Sequence, residues 1–253
     1  MAKDDLTILT GASRGMGLAM ARQLCVRGAR LVCVSRNLAP DLQAWADSQG
    51  ARLQQWAADL ADPAPVAHRL RDWLQTCDPA ELGRATLINN AGVIGHLGPL
   101  DTADAQDITR ALRIDLEAPV QLTAAFLAAT SGWTVPRRIL NISSGLGRSA
   151  MAGTALYCAA KAGMDHVSRC VALDEARKPH GARIVSLAPG VIDTGMQTEL
   201  RAGDPGKFPD RDNFQRLKDS AALTSPDQAA RRVLAYLERS DFGDQVIADV
   251  RAA

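Results

Sequence analysis

The chain has 253 residues, 47% of them hydrophobic, enough to fill the core of one large α/β domain. Its formal net charge is only +1, so bulk charge gives no reason to expect a nucleic-acid or anionic-membrane partner. The five cysteines (25, 33, 77, 158 and 170) are odd in number and irregularly spaced, and the four histidines are scattered, so neither a disulfide framework nor a metal site is expected.

The pattern alternates along the chain. LTILT (6–10) reads as a strand, followed by a glycine-rich turn and a helix through Arg27. ARLVCVS (29–35) is a second strand, 39–49 a helix, and 52–59 a third strand. A helix over 64–77 leads to a fourth strand, ATLINNAG (85–92), and then a long helical segment over 103–130. RRILNISS (137–144) reads as strand five, a helix runs from the Tyr157 region to about 177, and ARIVSLAPG (182–190) is strand six. Residues 195–225, polar with Pro and Gly, read as a poor core segment and a good lid. A helix over 226–239 and a strand near 245–249 close the chain. Strands separated by helices predict right-handed βαβ units: one doubly wound, Rossmann-type parallel sheet of about seven strands, with helices on both faces. No repeat, linker or bilayer-length apolar run appears, and the N-terminus has acidic residues where a signal peptide would be basic. A cytoplasmic protein of one domain, 1–253, is expected.

TGASRGMG (10–17) lies between the first strand and the first helix, with Gly11, Gly15 and Gly17 spaced G-x-x-x-G-x-G around Ser13, Arg14 and Met16. Glycine admits positive φ and close backbone approach, and the helix start offers unpaired N–H groups, so the loop is built to hold a pyrophosphate. NAD sites place a carboxylate at the end of the second strand to bind the ribose 2′-hydroxyl. Here that position reads Ser35-Arg36-Asn37, with Arg14 as a second cation. Two guanidiniums suit a 2′-phosphate, so NADP(H) is expected over NAD(H). The competing reading has Arg36 begin a solvated loop.

In ALYCAAKAG (155–163), Tyr157 and Lys161 are four apart and share a helix face. Two tyrosines and five lysines in the chain make this pairing uncommon by chance. Cys158, the neighbour of Tyr157, points about 100° away on a helix and has no histidine partner indicated, so a nucleophile reading is set aside.

Together these segments resemble the short-chain dehydrogenase/reductases over the full length. The likeness rests on TGASRGMG, Asp59-Leu60 after strand three, NNAG (89–92), ISS (142–144), YCAAK (157–161) and PGVIDT (189–194), in the right order and at strand ends. It implies a catalytic pair, Tyr157 and Lys161, with Ser144 orienting the substrate carbonyl. A phenol, pKa ≈ 10 when unperturbed, would be brought toward neutrality by the neighbouring ammonium. The resemblance also implies cofactor contacts: Asp59 and Leu60 beside the adenine, and Asn90, Ala91 and Gly92 at the ribose. Pro189, Gly190, Val191, Ile192 and Thr194 would hold the nicotinamide, while Asn89 would brace the central strands. Many members carry an Asn in the helix before strand five, where this chain has Asp115 in LRIDLEAP. Asp115 is either a tolerated near-isostere or a carboxylate that offsets Lys161 and retunes the pH dependence.

Within the family the likeness is nearest to sepiapterin reductases and bacterial benzil reductases, carried by ALYCAAKAGMD (155–165), VALDE (171–175) and APGVIDTGMQTEL (188–200). It implies NADPH-dependent reduction of a ketone or vicinal diketone. Met196, Leu200 and Phe208 are candidate pocket walls or lid packing. Asp249 is either a substrate anchor or a solvated strand end. Arg201, Lys207 and Arg211 keep an acyl-thioester or sugar-ketone substrate open, or form a solvated face. A non-catalytic NADP(H)-binding regulator is the rival from another class. The family likeness also implies a homodimer or homotetramer.

Overall fold

The computed structural model describes residues 3–252. Seven parallel strands form one sheet in the order β3-β2-β1-β4-β5-β6-β7. They are β1 (Asp4–Thr10), β2 (Arg30–Ser35), β3 (Arg52–Ala57), β4 (Leu82–Asn89), β5 (Arg137–Ile142), β6 (Arg183–Ala188) and β7 (Ile247–Asp249). The helices are α1 (Gly15–Val26), α2 (Leu42–Ser48), α3 (Pro63–Gln75), α4 (Ala105–Leu112), α5 (Ala118–Ala129), α6 (Ala155–Glu175), α7 (Gly195–Ala202), α8 (Arg211–Asp219) and α9 (Pro226–Leu237). No helix among the described residues is long and apolar enough to cross a membrane.

Strand residues alternate between two buried layers because successive side chains point to opposite faces. Leu9, Cys33, Ile88, Leu140 and Val185 pack with Met20 and Leu24 of α1 and Val233 and Leu237 of α9. Ile8, Val32, Leu87, Ile139 and Ile184 pack on the other face with Leu70 and Leu74 of α3 and Leu122 and Phe126 of α5. Both faces are apolar, which explains why the strands read as nearly continuous hydrophobic runs. Strand order reverses between β1 and β4, so a crevice opens at their carboxyl ends, where α/β sheets bind ligands.

The helical segment expected over 103–130 is not one regular helix. Between α4 and α5 the turn Arg113–Glu117 widens, and the Ala118 N–H donates to the Arg113 carbonyl five residues back. Pro119 accounts for this. It has no N–H to give Asp115, and its ring collides with that carbonyl in a regular helix, so the turn widens there.

A second correction concerns 195–225. The segment contains α7 and α8, and its apolar residues make a third cluster in which Leu200, Phe208 and Phe214 pack with Ile94 and Tyr157. The rings of Phe208 and Phe214 stack with centroids 5.7 Å apart. The segment closes on itself at its base. Ile192 pairs with Thr224, the Asp193 N–H donates to the Thr224 carbonyl at 2.9 Å, and the Thr224 N–H donates to the Val191 carbonyl at 3.0 Å.

Candidate active site

The glycine loop joins β1 to α1 at the sheet's reversal point. Gly11 has φ +70°, and a Cβ there would sit 2.8 Å from the Ala91 Cα. A Cβ on Gly17 would come 2.1 Å from the Gly11 carbonyl oxygen. Both positions therefore exclude any side chain. Thr10 ties the loop to β4: its hydroxyl accepts from the N–H of Asn90 at 2.9 Å and of Ala91 at 3.0 Å. The Asn90 amide returns the brace, donating to the Thr10 carbonyl at 2.9 Å and the Gly11 carbonyl at 3.3 Å.

A single cavity of about 650 Å³ runs from this loop across the ends of the strands. On one side it is lined by Ser13, Arg14, Met16, Ser35, Arg36, Asn37, Asp59 and Leu60. Ser35 is buried and its hydroxyl has no hydrogen-bond partner, an orphan that a ligand reaching the end of β2 would satisfy. Asp59 is engaged at home, accepting from the Ala61 N–H at 3.0 Å and facing Arg110 at 3.5 Å. In the middle, Gly92 and the stretch from Pro189 to Thr194, apart from Asp193, form the wall. The sequence-derived cofactor residues thus lie along one continuous surface.

The far end carries the titratable groups. Tyr157 and Lys161 stand on the first turns of α6, both buried, with the ammonium 5.4 Å from the centre of the phenol ring. Lys161 Nζ donates to the Ile142 carbonyl at 3.1 Å. Ser144 follows β5, and its hydroxyl accepts from the Leu146 N–H at 3.2 Å. Its neighbour Ser143 faces inward and donates to Asp165 at 2.6 Å. Asp165 also receives the Ser186 hydroxyl at 2.6 Å and lies 3.5 Å from Arg148, whose other nitrogen donates to the Ala248 carbonyl at 3.1 Å. Behind this, Asn89 donates to Asn141 at 2.8 Å and to Thr123 at 3.3 Å, and Asn141 donates to Ser168 at 2.9 Å.

Asp115 lies in the widened turn, fully buried, and accepts from the Val93 N–H at 2.8 Å. Asp115 and Lys161 flank Gly92: a methyl group there would lie 3.4 Å from Asp115 Oδ1 and 3.5 Å from Lys161 Nζ. The other Asp115 oxygen is buried without a partner. Burial raises this carboxyl to about 6, against the lowering effects of Lys161 and the Val93 N–H. The Tyr157 phenol departs from expectation. Burial raises its pKa above the ordinary value, outweighing Lys161, while Asp115 adds to the rise and a hydrogen bond with Ser144 opposes it.

Beyond Tyr157 the cavity is walled by Ile94, Leu146, Met151, Met196, Leu200 and Phe214. Two sequence-derived candidates lie elsewhere. Phe208 is wholly enclosed behind Phe214 and does not line the cavity. Asp249 is also off the wall, held bidentately by Arg251, which does line it. Arg201, Lys207 and Arg211 do not line the cavity either; Arg211 donates to the Arg201 carbonyl and pairs with Asp212 at 3.2 Å. The sequence reading missed Gln197, Phe214, Leu217 and Arg251. The i,i+3 spacings Gln197–Leu200 and Phe214–Leu217 were the available signal. No cluster of metal-ligating side chains occurs among the described residues.

The chain belongs to the short chain dehydrogenase family, which it matches over residues 5–205. It is 32% identical over 235 residues to a benzil reductase of Bacillus cereus, covering 93% of this chain and 94% of that protein. It is also 32% identical over 247 residues to the sepiapterin reductase of Meriones unguiculatus, covering 93% and 92% respectively. Among solved structures it resembles a metagenomic short-chain oxidoreductase in complex with NADP, with TM-score 0.70, 27% identity, and 97% and 94% of the two chains covered.

Proposed function

We propose that this protein is an NADPH-dependent carbonyl reductase acting on a ketone or vicinal diketone of the benzil or sepiapterin type. One observation carries the reading: the glycine loop, the Ser144–Tyr157–Lys161 group and an apolar chamber share one cavity. The cradle around Gly11 and Gly17, the orphaned Ser35 hydroxyl, and Arg14 and Arg36 on the same wall fit a phosphorylated adenosine ribose. Reduced nicotinamide supplies the hydride when bound.

The remaining work falls to this chain's side chains. The apolar wall excludes water and orients the body of the substrate. The Ser144 hydroxyl donates to the carbonyl oxygen as negative charge grows on it. Tyr157 delivers its proton to that same oxygen. At neutral pH the phenol is protonated, as an ordinary phenol already is and as burial further favours, the form a reductase needs before transfer. Lys161 then stabilises the phenolate that the transfer leaves. The segment 193–224 acts as the lid over the chamber, supported by its closed base and by Met196, Leu200 and Phe214 on the wall. Exposed Val120 on α5 and Leu173 on α6 support homodimeric or homotetrameric assembly through these helices, and five free cysteines support a cytoplasmic setting.

The test is NADPH oxidation across benzil, sepiapterin, an acetoacetyl thioester and simple ketones. The expected order places the diketone and sepiapterin well above the others in kcat/KM. Absence of turnover with every carbonyl, or a preference for the thioester, overturns the proposal.

A further inference from the structure

The chamber contains a polar group that the proton chemistry does not use. Gln197, on the first turn of α7, is 6% exposed and lines the cavity, yet its side-chain oxygen has no hydrogen-bond partner. A buried amide oxygen left unpaired is destabilising, and native chains rarely tolerate one without a compensating role. The neighbours on its helix face say which part of the cavity it serves. One turn before it, Thr194 lies against the glycine loop: a Cβ on Gly15 would be 3.4 Å from the Thr194 methyl. One turn after it, Leu200 packs in the cluster that contains Tyr157. Gln197 is thus one turn from a residue that lies against the cofactor cradle and one turn from a residue packed in the Tyr157 cluster, and it lines the same cavity as Met196 and Phe214. Of the other polar side chains on the wall, Asn213 donates to Asp210 at 2.7 Å and accepts from Arg216, and Ser149 donates to the Gly145 carbonyl at 3.1 Å, so Gln197 is the one that offers an unpaired amide oxygen.

We propose that Gln197 is a specificity-determining residue whose amide oxygen accepts a hydrogen bond from an N–H or O–H group on the body of the substrate, near the reacting carbonyl. This rests on the carbonyl-reductase reading and narrows it. Among the α-dicarbonyl and α-keto compounds the chamber takes, those that carry such a donor, as a lactam N–H or an adjacent hydroxyl does, rank above those that lack one, benzil included. A site built around a buried acceptor discriminates strongly against an analogue lacking the donor, because the acceptor then stays unpaired.

Isatin and N-methylisatin are suitable probes, since they share the α-keto lactam and differ only in the N–H. Two measurements are made on wild type and on Gln197→Met, which keeps the side-chain length and removes the acceptor: kcat/KM with NADPH, and calorimetric Kd for each probe on the NADPH-loaded protein. Wild type is expected to favour isatin at least tenfold in both, and Gln197→Met to bring the ratio within about twofold. The binding arm separates the two readings. Selective binding without turnover would remove the reductase assignment and leave the Gln197 assignment standing. Equal binding of both probes by wild type, no binding of either, or a ratio unchanged in Gln197→Met overturns it. So does a tenfold loss of NADPH affinity in the variant with the isatin preference intact, which would assign Gln197 to the cofactor.

Discussion

The ammonium of Lys161 lies 5.4 Å from the centre of the Tyr157 ring and is anchored to the Ile142 carbonyl at 3.1 Å. The cation is thus fixed by the end of β5 rather than by the phenol itself. Tyr157→Phe removes the transferable proton and leaves this anchor intact. The reduction rate is expected to fall about 10³-fold, the scale of a lost general acid, with the Kd for NADPH changed less than about threefold. Stopped-flow reduction and fluorescence titration of NADPH check both halves.

Asp115 sets a pH dependence. Its carboxyl titrates near 6 when folded and near the ordinary carboxylate value when unfolded. A raised folded pKa gives a stability contribution that is complete below the unfolded pKa and lost as pH rises through about 6. Wild type should therefore lose about 2–3 kcal/mol relative to Asp115→Asn between pH 4 and pH 7, measured by urea unfolding. The charged carboxylate also helps to hold the Tyr157 pKa up. Asp115→Asn should move the alkaline limb of the reduction rate to lower pH, and superimposable profiles would contradict this.

Arg36 and Arg14 share a wall with the unpaired Ser35 hydroxyl. Arg36→Ala is expected to raise the Kd for NADPH by about 10–100-fold, the worth of a charged hydrogen bond, and to leave the Kd for NADH within about threefold. A wild-type preference for NADH would end the argument for a 2′-phosphate site.

Asp165 accepts two buried hydroxyls at 2.6 Å, one of them on Ser143, the residue before Ser144. Ser186→Ala leaves the carboxylate one donor short and should cost about 1–3 kcal/mol of unfolding free energy. Asp165→Ala leaves both buried hydroxyls without their acceptor and should cost more, about 2–5 kcal/mol. If Asp165 positions Ser144, kcat falls in these variants while the Kd for NADPH holds.

Much of this was legible in the sequence because the signals are local. The spacing of Gly11, Gly15 and Gly17 after a strand, and an i,i+4 pair on α6, are each read from a few neighbouring residues. The alternating strands and helices, and with them the seven-stranded parallel sheet, followed from hydrophobic runs and turn residues in the same way. Part of what escaped was set by distant contacts. The burial of Phe208 and Phe214 follows from Ile94 and Tyr157, far away in the chain, and the polar average of 195–225 hid it. The ammonium that lowers the Tyr157 pKa was visible in the sequence; the burial that outweighs it was not. The widened turn at Arg113–Glu117 had a local signal after all, Pro119, which the helical reading passed over. Asp249 looked free at a strand end, and its partner Arg251 is two residues on.

The pairing of Ile192 with Thr224 makes the stretch between them a cassette whose two ends leave and rejoin the body side by side. The residues that handle the proton stand outside it, just after β5 and on α6, while Met196, Gln197, Leu200, Phe214 and Leu217 all travel with it. Grafting this insert from a relative should transplant substrate taste without retooling the reaction, and natural divergence has the same modular route open to it.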